Sequence, residues 1–309
     1  MTPAPVILQS REIFGAHPGP HLLITGGVHG DEFEPMAAIR QLIAEFDQNP
    51  ELAARLHGRL TLVPVVNEAA FVRGQRVAED QLDLARTCPG QPDGSVTERT
   101  AHALSELIRL ADAYIDLHTG GTELAVFPLT GYVLHPQPEV LATQRRMARA
   151  FNLPVIWGTS PALEGRSLSV ARDAGVPAIY AEHHGAGGCR VEGVEAYVAG
   201  CWNVMAELGL LARPQPASAV RLCVEDTRPQ SGHMQVCNPS PITGCFTPAV
   251  ALGDAVRAGD LIGTVTDVLG TDCRDILAQG DGLVLVLRTF PRVRAGETVG
   301  VILGIPAAS

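Results

Sequence analysis

Three short runs carry the residues best suited to chemistry. The first is GGVHGDEFEP, residues 26–35, which sets His29 and Glu32 three positions apart directly after an apolar stretch. On a turn leading into a helix, side chains at i and i+3 converge. An imidazole nitrogen beside a carboxylate oxygen suits Zn²⁺, which accepts mixed N and O ligands. The pair alone is a weak signal. Its plainer reading is a polar turn, with Asp31 and Glu34 favouring a helix N-terminus. The second run is YIDLHTGG, residues 114–121, where His118 ends an apolar segment and glycines follow. Together the two runs supply a His₂Glu set, the ligand pattern of several zinc hydrolases that keep a fourth position for water. The third run is PAIYAEHHGAGG, residues 177–188. Glu182 there also lies just past an apolar run and can serve as a general base, taking a proton from water and passing it to a departing amine. His183 and His184 read better as residues behind the site. Asp116, two residues before His118 on the same strand face, can orient a ligand or simply bond nearby backbone.

The elements that must position these residues alternate. Residues 21–28 read as a buried strand, 34–46 as a helix with apolar spacing, and 59–66 as a second strand. A polar, Arg-bearing loop spans 67–94. A helix is predicted over 96–111, opened by the capping box of Ser95 and Glu98, so Glu98 reads as a cap rather than a catalyst. Strands are expected at 113–117, 133–135, 155–157 and 178–181, and helices at 138–151, 168–174 and 194–211. Such alternation predicts an α/β fold with a mainly parallel sheet. In open sheets of that kind the carboxyl ends of the strands line one crevice, which would bring the three runs together. The pattern changes after the Pro-rich linker at 212–218. Short β-like runs broken by Gly and Asp predict a small all-β domain over 219–309, leaving 1–213 as the catalytic domain.

Composition narrows the function classes. Net charge is −10 over 309 residues, which argues against nucleic-acid or anionic-membrane partners. All 23 basic residues are Arg, so chemistry that needs a lysine amine is excluded. The seven cysteines form no CxxC pair and read as reduced thiols of a cytoplasmic protein. The N-terminus has no signal-peptide pattern, and no apolar run is long enough to span a membrane.

In this order, His29–Glu32, His118 and Glu182 resemble the succinylglutamate desuccinylase/aspartoacylase family of zinc carboxypeptidase-like hydrolases. The resemblance covers roughly residues 20–210 and extends to the β-rich tail. It implies a mixed, mostly parallel sheet flanked by helices. It also implies one zinc per chain held by His29, Glu32 and His118, with Glu182 as the catalytic base, and a small N-acyl amino acid as substrate. The family's Asp-Leu-Asn-Arg segment, whose Asn and Arg grip a substrate carboxylate, is matched by Asp83-Leu84-Ala85-Arg86. Arg86 matches, but Ala85 replaces the asparagine, removing one hydrogen bond of about 1 kcal/mol. Strict aspartoacylase or desuccinylase specificity is therefore not implied. The subset that deacetylates compounds such as N-acetyl-diaminobutyrate looks similar here. Arg76, with Arg73, precedes Arg86 on the same loop. Arg172 lies ten residues before Glu182, a spacing similar to a substrate-contacting arginine of aspartoacylase. Each is a candidate for binding a carboxylate bidentately, against the plainer reading of a surface arginine. The tail resembles a lipoyl-like barrel but has no lysine to carry a cofactor. It is left to shape the pocket mouth, restrict substrate size or form a contact in a homo-oligomer. Three readings stay open: a zinc amidohydrolase on small N-acyl amino acids, a zinc carboxypeptidase on peptides, and a binding relative without catalysis.

Overall fold

Apolar runs closed by glycine, such as HLLITGG, form the buried strands, and the amphipathic stretches between them form helices that cover the sheet. The structure, a computed structural model, describes residues 6–229, 231–234 and 237–305. In chain order it contains β1 (Arg11–Phe14), β2 (His17–Thr25), α1 (Phe33–Gln48), α2 (Pro50–Arg55), β3 (His57–Val63), α3 (Glu68–Arg73) and α4 (Val96–Arg109). There follow β4 (Ala113–His118), β5 (Leu124–Val133), α5 (Pro138–Phe151), β6 (Val155–Thr159), α6 (Ser167–Ala174), β7 (Ala178–Gly185) and α7 (Val191–Glu207). The C-terminal strands are β8 (Leu222–Glu225), β9 (Gly244–Pro248), β10 (Ala255–Val256), β11 (Leu261–Thr266), β12 (Cys273–Leu277), β13 (Gly282–Arg288), β14 (Arg292–Val293) and β15 (Gly300–Leu303).

The mixed sheet flanked by helices is present. Its parallel centre runs β3-β2-β4-β7. Beyond β7 the sheet turns antiparallel at β5, which in turn pairs in parallel with β6. Helices α1, α5 and α7 close one face through Leu42, Phe46, Met147, Tyr197 and Val204. Helices α4 and α6 close the other through Ala101, Leu104, Leu168 and Ala171. The capping box read from the sequence opens α4: Ser95 Oγ accepts from the Glu98 N–H at 3.4 Å, and Glu98 Oε2 accepts from the Ser95 N–H at 2.7 Å.

Two differences from the sequence reading matter for the site. Of the strand expected at 133–135 only Val133 lies in a strand, as the last residue of β5, a ten-residue strand through Pro128 and Gly131. Pro128 cannot donate to a ladder and hides the strand pattern. The chain absorbs it in a register shift against β7 between Val126 and Leu129. The second difference lies in the pairing of the C-terminal strands. β9, β11, β12 and β14 form a separate antiparallel sheet, as a β-rich tail requires. β8, however, pairs with β6, and β13 pairs with β5, so tail strands also extend the large sheet.

Arg288 fixes this junction. Its side chain is 2% exposed and donates to Glu123 Oε2 at 2.9 Å, to Glu297 Oε2 at 3.1 Å and to the carbonyls of Phe290, Arg292 and Thr298. Glu123 belongs to the loop that follows His118, so the tail grips the segment carrying that residue. The carboxylate partners are 40% and 30% exposed, so the loss on removing Arg288 is that of hydrogen bonds to a charged group, about 2 kcal/mol. Arg288→Met is expected to lower unfolding free energy by that amount in urea titration. A change below about 0.5 kcal/mol, the level of an ordinary surface substitution, would show that the grip is not structural.

Candidate metal centre and cavity

The three chemical runs meet where the parallel strands end. After β2 the chain turns through Gly26 and Gly27 and places His29 and Glu32 just before α1, with Glu32 at the helix N-cap. His118 is the last residue of β4, and Glu182 lies on β7 directly opposite it in the parallel register. Period two then turns His118, Asp116, Glu182 and Tyr180 to one face. Two glycines make the close approach feasible. A Cβ on Gly30 would lie 2.1 Å from the Ala70 carbonyl carbon. Gly121 has φ +58°, and a Cβ there would sit 2.8 Å from Asp31 Oδ2. That same Asp31 oxygen accepts the Thr122 N–H at 2.8 Å, joining the first run to the second.

Glu32 is the hub. It is 1% exposed, with Oε1 at 2.7 Å from His29 Nδ1 and Oε2 at 3.0 Å from His118 Nδ1. The outer nitrogen of each imidazole meets another carboxylate: His29 Nε2 lies 3.1 Å from Asp83 Oδ1, and His118 Nε2 lies 3.1 Å from Asp116 Oδ2. Asp116 is fixed in turn by Thr25 at 2.9 Å and by the hydroxyl of Ser167. The Tyr197 hydroxyl donates to the His118 carbonyl. One ligand atom from each of His29, Glu32 and His118 lies within 4.8 Å of the others, a cluster able to hold a metal ion. The charge balance agrees. Glu32, Asp83 and Asp116 surround two imidazoles and are offset by Arg76, leaving surplus negative charge for a cation. Burial alone would raise the Glu32 carboxyl, but the two imidazoles hold it well below the usual range. Burial would lower the His118 imidazole, yet Asp116 and Glu32 raise it well above its ordinary value.

Glu182 behaves differently. Burial pushes its carboxyl up to about 8, with His118 acting to lower it and Glu32 to raise it. Its Oε2 is buried without a hydrogen-bond partner. A buried carboxylate oxygen of this kind is costly unless something arrives to meet it. It faces a cavity of about 110 Å³ that also receives His29, Glu32, His118, Arg76, Arg86 and Arg166.

The arginines read from the sequence separate here. Arg76 lines the cavity and is tied to Asp83 Oδ2 at 3.0 Å, with one nitrogen 4.0 Å from Glu32. Arg86 also lines it, and its Nη1 donates to the Ala85 carbonyl at 2.6 Å. The structure does not bring Arg172 to the cavity. It pairs with Glu164 at 2.8 Å and Asp173 at 2.7 Å and bonds the Pro161 carbonyl. Ten residues before Glu182 falls on the side of α6 turned away from the cavity, and Arg166, just before that helix, reaches the wall instead. Arg73 is exposed and bonds Gln75. His183 turns towards Tyr197 and Gly193 rather than the cavity, and burial lowers its imidazole to about 4. Asp83 and Arg166 were not singled out in the sequence. Asp83 was visible only as the head of the Asp-Leu-Ala-Arg segment, and nothing local told that the 67–94 loop folds over His29.

The comparisons with known proteins follow the same outline. A model of the succinylglutamate desuccinylase/aspartoacylase catalytic domain matches residues 18–208. An N-alpha-acetyl-L-2,4-diaminobutyric acid deacetylase of Halomonas elongata is 31% identical over 300 residues, 92% of this chain and 82% of that protein. The product-bound structure of the ectoine utilization protein from Ruegeria pomeroyi superposes with TM-score 0.86 at 27% identity, covering 96% of this chain and 89% of the other. A succinylglutamate desuccinylase/aspartoacylase structure from Rhodobacter sphaeroides gives TM-score 0.84 at 28% identity, covering 97% and 90%.

The Asp83–His29 contact generates a test of its own. Carboxylates behind a metal-binding imidazole fix its tautomer, and losing one weakens metal affinity about 10- to 100-fold. Asp83→Asn is expected to weaken zinc binding by that factor in a competition titration with a chromogenic chelator. Unchanged affinity would show that Asp83 serves Arg76 alone.

Proposed function

The chain belongs to the succinylglutamate desuccinylase/aspartoacylase family, and from that premise we propose that it is a zinc-dependent deacylase hydrolysing the amide bond of a small N-acylated amino acid. The observation that carries this reading is the meeting of the His29–Glu32–His118 cluster with the unpartnered Oε2 of Glu182 in one cavity. The donor set fits zinc: two neutral imidazoles and one carboxylate, each imidazole backed by a carboxylate that takes its other N–H. Zinc bound there supplies Lewis acidity, polarising the amide carbonyl and making water a better nucleophile.

The remaining steps fall to the chain's own residues. Asp83 and Asp116 hold the two imidazoles with Nδ1 turned inward. Glu182 Oε2 accepts the proton of the attacking water as the new C–O bond forms, then delivers it to the amide nitrogen as the C–N bond breaks. Burial raises the Glu182 carboxyl, and the charge of a cation held by His29, Glu32 and His118 would oppose that rise, leaving a group that can both take up and release the proton. Arg86 and Arg166 present guanidinium groups that can hold the substrate carboxylate at a fixed distance from the reacting carbonyl.

Cavity size supports an amino-acid derivative over a peptide. Met234 and Val286 of the C-terminal segment close one wall, so the tail restricts what can enter. The Halomonas relative's name makes N-acetyl-2,4-diaminobutyrate one candidate substrate. All seven cysteines are free thiols, which supports a reducing compartment such as the cytoplasm. We retain the two-domain division at residues 213 and 219 as a proposal about folding units, since tail strands also join the large sheet.

Glu182→Gln is expected to keep stoichiometric zinc by elemental analysis while losing about 10²-fold or more in kcat. Near-normal turnover would move the base elsewhere. His118→Ala is expected to lose the metal, and chelation of the unmodified enzyme to abolish amine release until zinc is restored. Full zinc occupancy in His118→Ala would overturn the ligand set.

A further inference from the structure

We propose that Tyr180 determines substrate specificity by donating its hydroxyl hydrogen to the carboxylate of the N-acyl amino acid, alongside the guanidinium of Arg166. The proposal rests on the deacylase reading and adds a substrate-binding residue to it. Among the described residues, five hydroxyl groups line the cavity, on Thr119, Thr159, Ser167, Ser169 and Tyr180. Four of them are engaged with the chain itself. Thr119 accepts the Gly121 N–H at 3.1 Å, and Thr159 donates to the Tyr132 carbonyl at 3.4 Å. Ser167 donates to Asp116, and Ser169 donates to the Arg166 carbonyl at 2.6 Å. The Tyr180 hydroxyl has no hydrogen-bond partner among the described residues. Tyr180 lies on β7, inside the large sheet between β4 and β5, yet it is only half-buried, because it opens on the cavity.

The position of the ring is built into the sheet. Tyr180 faces Gly131 in the β5–β7 ladder. A Cβ on Gly131 would run into the ring and its hydroxyl, so glycine there lets the ring lie across β5. Burial, then the charge of Glu182, raises the phenol against the effect of Arg166, so the hydroxyl stays protonated and can donate. Arg166 makes an anion the fitting acceptor. Its Nε is buried with no hydrogen-bond partner, and its Nη2 bonds the Gly232 carbonyl at 3.2 Å. Among the described residues no carboxylate lies within ion-pair distance of it. A buried guanidinium without a counterion is costly until an anion meets it. Ala85 gives the wall only a methyl group. A carboxylate has two oxygens, enough to accept from Arg166 and Tyr180 together. A carboxamide offers one uncharged acceptor and turns its own N–H groups toward a guanidinium that cannot accept.

A panel of N-acetyl amino acids, each paired with its carboxamide, provides the test. With the zinc-loaded enzyme, kcat/KM is expected to favour the acid by about 100-fold. Tyr180→Phe removes the hydroxyl and keeps the ring beside Gly131. It is expected to raise KM for the acid about 10-fold with kcat within about twofold, the mark of a lost hydrogen bond that ground and transition states share. The acid-to-carboxamide ratio of kcat/KM is expected to fall about 5-fold, because a bond to a charged acceptor is worth more than one to a neutral acceptor. Zinc content and thermal midpoint should stay as in the unmodified enzyme. A drop in either would make Tyr180 a structural residue and overturn the proposal. An unchanged KM in Tyr180→Phe would overturn it as well. So would a loss confined to substrates with polar side chains at an unchanged acid-to-carboxamide ratio, since the hydroxyl would then meet the side chain. Each of these results leaves the deacylase reading standing. Failure of the unmodified enzyme to turn over any N-acyl amino acid would overturn that reading and this proposal with it.

Discussion

Glu32 sits between two imidazoles, and much of the site's architecture serves that arrangement. A carboxylate buried to 1% exposure is unfavourable unless positive or hydrogen-bond-donating groups surround it. His29 and His118 meet its two oxygens, and Asp83 and Asp116 stand behind them. The chain thus gathers three carboxylates around two imidazoles, an excess of negative charge that a bound divalent cation would neutralise. Bringing them together demands specific backbone. Gly30 passes against Ala70, Gly121 takes a left-handed conformation beside Asp31, and Asp31 bonds the Thr122 amide. The loop over His29, the strand end at His118 and the helix start at Phe33 are fitted around one cluster.

The carboxylates and guanidinium groups of the cavity are not all held alike. Glu32 is held ionised by its neighbours, while Glu182, on β7 beside His118, is raised by burial and keeps an unpaired oxygen. Two carboxylates in one pocket thereby have different surroundings, which is the asymmetry the proposed metal-holding and proton-transfer roles require. The arginines divide similarly. Arg76 is spent on Asp83, whereas Arg166 has a buried nitrogen without a partner. The proposed deacylase reaction on an N-acyl amino acid would use both kinds of asymmetry.

The C-terminal segment takes part in this arrangement more closely than a detachable module would. β13 pairs with β5, Met234 and Val286 reach the cavity wall, and Arg288 grips Glu123 beyond His118. Its contribution is to enclose the cavity and to steady the loop after β4.

Much of the frame was legible in the sequence by itself. Alternating apolar runs and amphipathic stretches announced the parallel centre, and Ser95 with Glu98 marked the start of α4. The strand-end positions of His29, Glu32, His118 and Glu182 pointed to one crevice, because parallel strands put their carboxyl ends on one edge. Side-chain period and the turn signals that end a strand are local properties, so they survive in a linear text. The pairings of Asp83 with His29, of β13 with β5 and of Arg166 with the cavity are not local. Arg172 looked right by spacing alone, yet helix α6 turns it outward to Glu164. Those contacts are decided by how loops and the tail fold back across the sheet, and only the tertiary structure, where distant segments compete for the same buried space and charge, settles them.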